Sequence, residues 1–114
     1  MSITVYHNPR CSKSRCALDY LNERKIDFTV VEYIKEPLTK DGLEALLRLL
    51  NILPIALIRK NEPEFKEHNS LSQISDEQAI EAMLRFPKLI ERPIVVKDGK
   101  AIVARPTERI EELF

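Results

Sequence analysis

The chain has no net charge: its 18 lysines and arginines are matched by 18 aspartates and glutamates. That balance excludes a whole-molecule field able to draw in nucleic acid or an anionic membrane, so neither is expected as a partner. Any anion must be held by a local cluster of donors. Also missing are a run of ~18 consecutive apolar residues, the length of a membrane span, and the apolar region of a signal peptide. A cytoplasmic protein with reduced thiols is the expectation. Cysteine is scarce: Cys11 and Cys16 are too few for a disulfide scaffold and lack the second pair of a zinc site, so no metal is expected. Internal repeats, low-complexity segments and an obvious interdomain linker are absent too.

What is present fits one domain over residues 1–114, whose 44% hydrophobic content is enough to bury a core without staples. Ile3 to His7 alternates β-branched and aromatic types and reads as a strand, broken by Asn8-Pro9. From Ser12 onward Ala17, Leu18 and Leu21 share a face at helical spacing, and Phe28 to Tyr33 reads as a second strand. Thr39 is placed to cap a helix carrying Leu43, Leu46, Leu47 and Leu50. A loose stretch from Asn51 to Gln73 follows, and then Ser75 to Gln78 matches a capping box opening a helix with Ile80, Met83 and Leu84. Pro93 to Val96 and Ala101 to Ala104 read as strands joined by an Asp98-Gly99 turn, and Thr107 is expected to cap a short closing helix. A β-α-β unit followed by β-β-α is the order of a thioredoxin-like α/β sheet. The expectation is a mixed sheet of about four strands, with core segments 1–38 and 88–114 and a helical insertion over 39–87.

The segment His7-Asn8-Pro9-Arg10-Cys11-Ser12-Lys13-Ser14-Arg15 carries most of the chemistry. A cysteine just before a helix lies near unpaired backbone N–H groups and the positive end of the macrodipole. Both favour the thiolate, which is the nucleophile, and Arg10, Lys13 and Arg15 push the same way. The same N–H groups can cradle an oxyanion. A free cysteine is more commonly a small buried hydrophobe, but the charged neighbours of Cys11 are a poor setting for burial. His7 could tune the thiolate or carry a proton, or be a satisfied polar residue; Ser14 could present its hydroxyl to the sulfur or face the first helical turn.

Cys16 is a poor resolving thiol. Five residues along a helix separate Cα atoms by roughly 8.6 Å, beyond the ~7 Å that a disulfide spans without backbone movement. Ser14 stands where a thioredoxin-type C-x-x-C would have its second cysteine, so the reducing thiol should come from outside. A phosphatase phosphate loop would need an arginine six residues after the cysteine, where this chain has Ala17.

These residues resemble the glutaredoxin-linked arsenate reductase family. The likeness rests on H-N-P-x-C-x-x-S-R at His7 to Arg15, L-I-R-K at Leu57 to Lys60, E-R-P-I-V-V at Glu91 to Val96, and A-R-P at Ala104 to Pro106, and spans essentially the whole chain. It implies a thioredoxin-like fold in which Cys11 attacks arsenate, glutathione acts as co-substrate, and glutaredoxin reduces the resulting mixed disulfide as arsenite leaves, with no bound cofactor. It assigns Arg59, Arg92 and Arg105 to the oxyanion, and His7 and Ser14 to support of the thiolate. Pro93 would be the cis-proline facing the cysteine. Two other functions remain open: a glutathione-linked oxidoreductase acting on another substrate, and a redox-responsive regulator that binds RNA polymerase. The regulator ordinarily carries the C-x-x-C that Ser14 denies.

Overall fold

The computed structural model describes residues 3–59 and 75–114. Lys60 and the rest of the loose stretch up to Gln73 lie outside the described residues. The chain forms two compact units, Met1–Glu36 with Arg92–Phe114, and Pro37–Glu91.

The first unit is built on four strands, β1 (Ile3–Tyr6), β2 (Thr29–Val31), β3 (Ile94–Lys97) and β4 (Lys100–Val103), with helix α1 (Ser12–Glu23) connecting β1 to β2. The sheet order is β2-β1-β3-β4. β1 and β2 run parallel, while the β1–β3 and β3–β4 pairs are antiparallel. This is the mixed, thioredoxin-like α/β sheet expected from the order of elements. Parallel neighbours need a long crossover, which α1 supplies; the antiparallel pair needs only a tight turn. Asp98 and Gly99 both have positive φ, +45° and +78°, as a two-residue hairpin turn of this twist requires.

Period-two pleating buries Ile3, Val5 and then His7 on one face of the first strand and its continuation. Ser14, Ala17 and Leu21 are the buried positions of α1, at helical spacing. Ile3, Val5, Ala17 and Leu21 join Val95, Ile102, Ala104, Ile110 and Leu113 in one apolar cluster. Full burial of each larger aliphatic side chain contributes about 1.5–3 kcal/mol.

Two local expectations change. The second strand is only Thr29–Val31, shorter than Phe28 to Tyr33. The closing element is a 3-10 helix, Thr107–Leu113, with Pro106 at its N-cap position and no side-chain cap, so Thr107 lies inside it. Proline supplies the fixed, non-helical entry there, leaving no capping role for the threonine.

In the second unit, α2 (Lys40–Leu50) starts at Thr39, whose hydroxyl accepts the Gly42 N–H at 3.0 Å. Asn51 closes that helix in the left-handed conformation. α3 (Asp76–Arg85) opens with a complete capping box: the Ser75 hydroxyl accepts the Gln78 N–H, and the Gln78 side chain accepts the Ser75 N–H. Leu43, Leu46 and Leu47 of α2 and Ala79, Ile80 and Met83 of α3 are buried. Among the described residues no helix is long and apolar enough to cross a membrane.

Candidate active site

The loop between β1 and α1 is fixed by its own backbone and by three side chains. Asn8 does most of this. Its carbonyl accepts the Cys11 N–H at 3.0 Å, its Oδ1 accepts the Arg10 N–H at 3.0 Å, and its own N–H donates to Ser14 Oγ at 3.0 Å. Arg15 Nη1 donates to the Pro9 carbonyl at 3.2 Å, tying the helix back onto the loop. The sequence reading treated Asn8 only as a strand breaker. The available signal was the affinity of asparagine for turn geometry, where its side chain bonds the backbone two residues on.

Ser14 is fully buried and His7 nearly so. His7 Nδ1 and Ser14 Oγ lie 2.6 Å apart, and the His7 N–H donates to the Val31 carbonyl at 2.9 Å. Burial lowers the His7 pKa; Glu32 opposes this, Arg15 adds to it, and the Ser14 backbone opposes it, leaving the imidazole below its ordinary value. His7 is therefore neutral at pH 7, and one ring nitrogen can accept a proton. Since the Asn8 N–H already uses one lone pair of Ser14 Oγ, the serine hydroxyl can donate to His7 Nδ1.

Cys11 occupies the N-cap position of α1 with extended backbone angles, φ −98° and ψ 120°. The residue is half-buried. Burial alone would push the thiol pKa up. The Ser14 N–H, the Arg92 guanidinium through both hydrogen bonding and charge, and the Lys13 N–H outweigh it, and the thiol ends below its ordinary value. Arg105 Nη2 lies 3.5 Å from the sulfur, and its Nε donates to the Arg92 carbonyl at 2.7 Å. Arg105 is thus held against the backbone of one arginine neighbour of the thiolate while pointing at the thiolate itself. Each arginine directly precedes a proline, and the Arg92–Pro93 and Arg105–Pro106 bonds are both cis.

Of the residues singled out from the sequence, Cys11, Arg92 and Arg105 converge, and His7 pairs with Ser14 beside them on α1. Arg15 is exposed and reaches the Pro9 carbonyl. Arg59 belongs to the second unit. There an antiparallel bridge between Ile58 and Ile90 is flanked by bonds from the Arg59 N–H to the Leu89 carbonyl and from the Glu91 N–H to the Leu57 carbonyl. Its Nε lies 3.9 Å from Glu91 Oε1. Cys16 is exposed on α1 and is a free thiol, as is Cys11.

A thiolate with two guanidinium groups and helix N–H donors around it can attack an electrophilic centre while the same cations hold anionic oxygens. The chain is similar to known proteins. A family model described as the ArsC family matches residues 6–113. An "Arsenate reductase" of Neisseria meningitidis is 40% identical over 98% of this chain and 97% of that protein. The "Uncharacterized protein YfgD" of Escherichia coli is 43% identical over 97% of this chain and 95% of its own length. The solved structure titled "Arsenate reductase from Vibrio cholerae" superposes with a TM-score of 0.94 at 40% identity, covering 100% of this chain and 98% of that one.

Proposed function

This chain belongs to the ArsC family, and from that premise we propose that it is an oxidoreductase that reduces arsenate to arsenite, with the Cys11 thiolate as nucleophile. The observation that carries the reading is the convergence of Arg92 and Arg105 on Cys11, with Arg105 Nη2 3.5 Å from the sulfur. Arsenate at neutral pH bears between one and two negative charges, so attack by a thiolate brings like charges together. Two guanidinium groups beside the sulfur offset that repulsion and leave the arsenic in line for attack. Arg59 is assigned to the same oxyanion through the family likeness.

Cys11 displaces one arsenate oxygen, which leaves as water; a second thiol then attacks the Cys11 sulfur, an S–S bond forms, and the S–As bond breaks with its electron pair leaving on arsenic as arsenite. Overall, arsenate and two thiols give arsenite, one disulfide and one water, and the two electrons that take As(V) to As(III) come from the two sulfurs. Glutathione is the co-substrate we assign to the second thiol, with glutaredoxin reducing the mixed disulfide. Cys16 is too far along the same helix to close a disulfide with Cys11. The neutral His7 and the Ser14 hydroxyl support the thiolate from the core side, and catalysis needs no bound cofactor.

The purified protein, supplied with glutathione, glutaredoxin and a coupled NADPH-consuming disulfide reductase, should oxidise NADPH in an arsenate-dependent way. Cys11→Ser should abolish that turnover. Absence of arsenate dependence, with retained reduction of glutathione adducts, would move the assignment to a thiol oxidoreductase acting on another substrate.

A further inference from the structure

Both cysteines of the chain belong to the start of α1, Cys11 at its N-cap and Cys16 within it, in opposite electrical surroundings. Around Cys11 stand Arg10 and Lys13, both exposed, together with Arg15, Arg92 and Arg105. Three of these are already engaged: Arg92 and Arg105 contact the sulfur, and Arg15 holds the Pro9 carbonyl. Among the described residues no carboxylate pairs with the side chain of Arg10 or Lys13. The Arg10 backbone, one residue before the cysteine, is nonetheless pinned by Asn8 Oδ1. In a chain with zero net charge this concentration of cations is local.

Cys16 opens instead onto a groove of about 330 Å³ whose lining includes Asp19, Glu23 and Glu108, all exposed carboxylates. Arg24, stacked at 3.5 Å on the Tyr20 ring that also lines the groove, offsets part of that charge. The balance remains acidic.

We propose that Arg10 and Lys13 are specificity-determining residues for the external thiol, selecting an anionic thiol or disulfide at Cys11, whereas the groove at Cys16 has no such preference. This rests on the reading of Cys11 as a thiol-dependent centre and goes further by naming the side chains that select its co-substrate by charge. The selected step is thiol–disulfide exchange: a thiolate sulfur attacks one sulfur of a disulfide, forms a new S–S bond, and expels the other sulfur as thiolate, with no further oxidant. Carboxylates on the incoming partner, close to its sulfur, meet the two free cations as the sulfurs approach. Such steering raises on-rates by ~10-fold or more at low salt and fades as the Debye length contracts to ~3 Å at 1 M.

The test uses three symmetric disulfides that differ in charge: dithiodipropionate (anionic), hydroxyethyl disulfide (neutral) and cystamine (cationic). Exchange rates at Cys11 are read by mass spectrometry in Cys16→Ser, and at Cys16 in Cys11→Ser. The anionic-to-cationic rate ratio at Cys11 should be about tenfold at low salt, and should fall towards one at ~1 M salt. Arg10→Gln with Lys13→Gln should lower that ratio at least severalfold. Taking a ratio cancels any change in thiolate fraction, which alters all three rates alike. A ratio unchanged in the double variant overturns the proposal, as does an equal anionic preference at Cys16. No arsenate enters the assay, so failure here is distinct from failure of arsenate reduction.

Discussion

A single sulfur atom at the start of α1 concentrates the chemistry, and three different forces act on it. Burial disfavours its charge, while backbone N–H groups and the Arg92 guanidinium favour it, and the favourable set wins. The sign predicts the pH dependence. A lowered thiol pKa means that Cys11 is alkylated by iodoacetamide at a pH where an ordinary cysteine, with a pKa of ~8.5, is still protonated. Arg92→Ala removes both a hydrogen bond and a positive charge, so the midpoint of the rate–pH curve should move upward in that variant. The Ser14 and Lys13 N–H groups remain, so the shift should be partial. An unchanged midpoint would place Arg92 outside the electrostatics of the sulfur. Cys11 and Arg10 to Arg15 were legible in the sequence because a cysteine before a helix start is a local pattern. That Arg105, 94 positions further along, meets the same sulfur was reached only through the family likeness and not from local pattern, because contact across that separation depends on the antiparallel pairing of β1 with β3 and β3 with β4.

Elements with a chemical start or stop signal were readable from their own residues. Thr39 and Ser75 cap where they were expected to, because a hydroxyl that satisfies a helix N–H leaves its mark within four residues. The β3–β4 turn is likewise local. Gly99 has φ +78° and open space where a Cβ would stand, so Gly99→Ala creates no clash and costs only the left-handed conformation, about 1–2 kcal/mol. Chemical denaturation should show that loss with an unchanged m-value, since the same surface is exposed on unfolding. Where the signal was weaker the reading drifted. Phe28 to Tyr33 looks uniformly strand-like, yet only Thr29–Val31 pairs with β1, because the register against a short parallel partner sets the length. Thr107 has a capping side chain, but Pro106 before it already fixes the entry to a 3-10 turn. Asn8 was the larger omission: three hydrogen bonds from one residue build the loop that presents Cys11.

At the scale of the whole molecule, neutrality makes any anion site a product of folding. Separate stretches of sequence supply Cys11, Arg92 and Arg105, and the unfolded chain, with 18 charges of each sign, has no net attraction for an oxyanion. Anion binding must therefore favour the folded state. At a free anion concentration one hundred times the dissociation constant that linkage is worth ~2.7 kcal/mol, enough to raise the melting temperature by several degrees. Arsenate, and sulfate as an unreactive stand-in, should both stabilise the parent protein. Cys11→Ser should keep the sulfate shift, since the guanidinium groups remain, while losing turnover. Arg105→Ala should lose most of the sulfate shift, because it removes the guanidinium facing the sulfur and the bond that braces the Arg92 carbonyl. Arg105→Lys separates those two effects: it retains a charge but cannot reproduce the planar fork that bonds two partners at once. Recovery of the shift in Arg105→Lys would make charge alone sufficient. Loss of it there, with the fold intact by circular dichroism, would show that the anion site depends on the geometry joining Arg92 to Arg105.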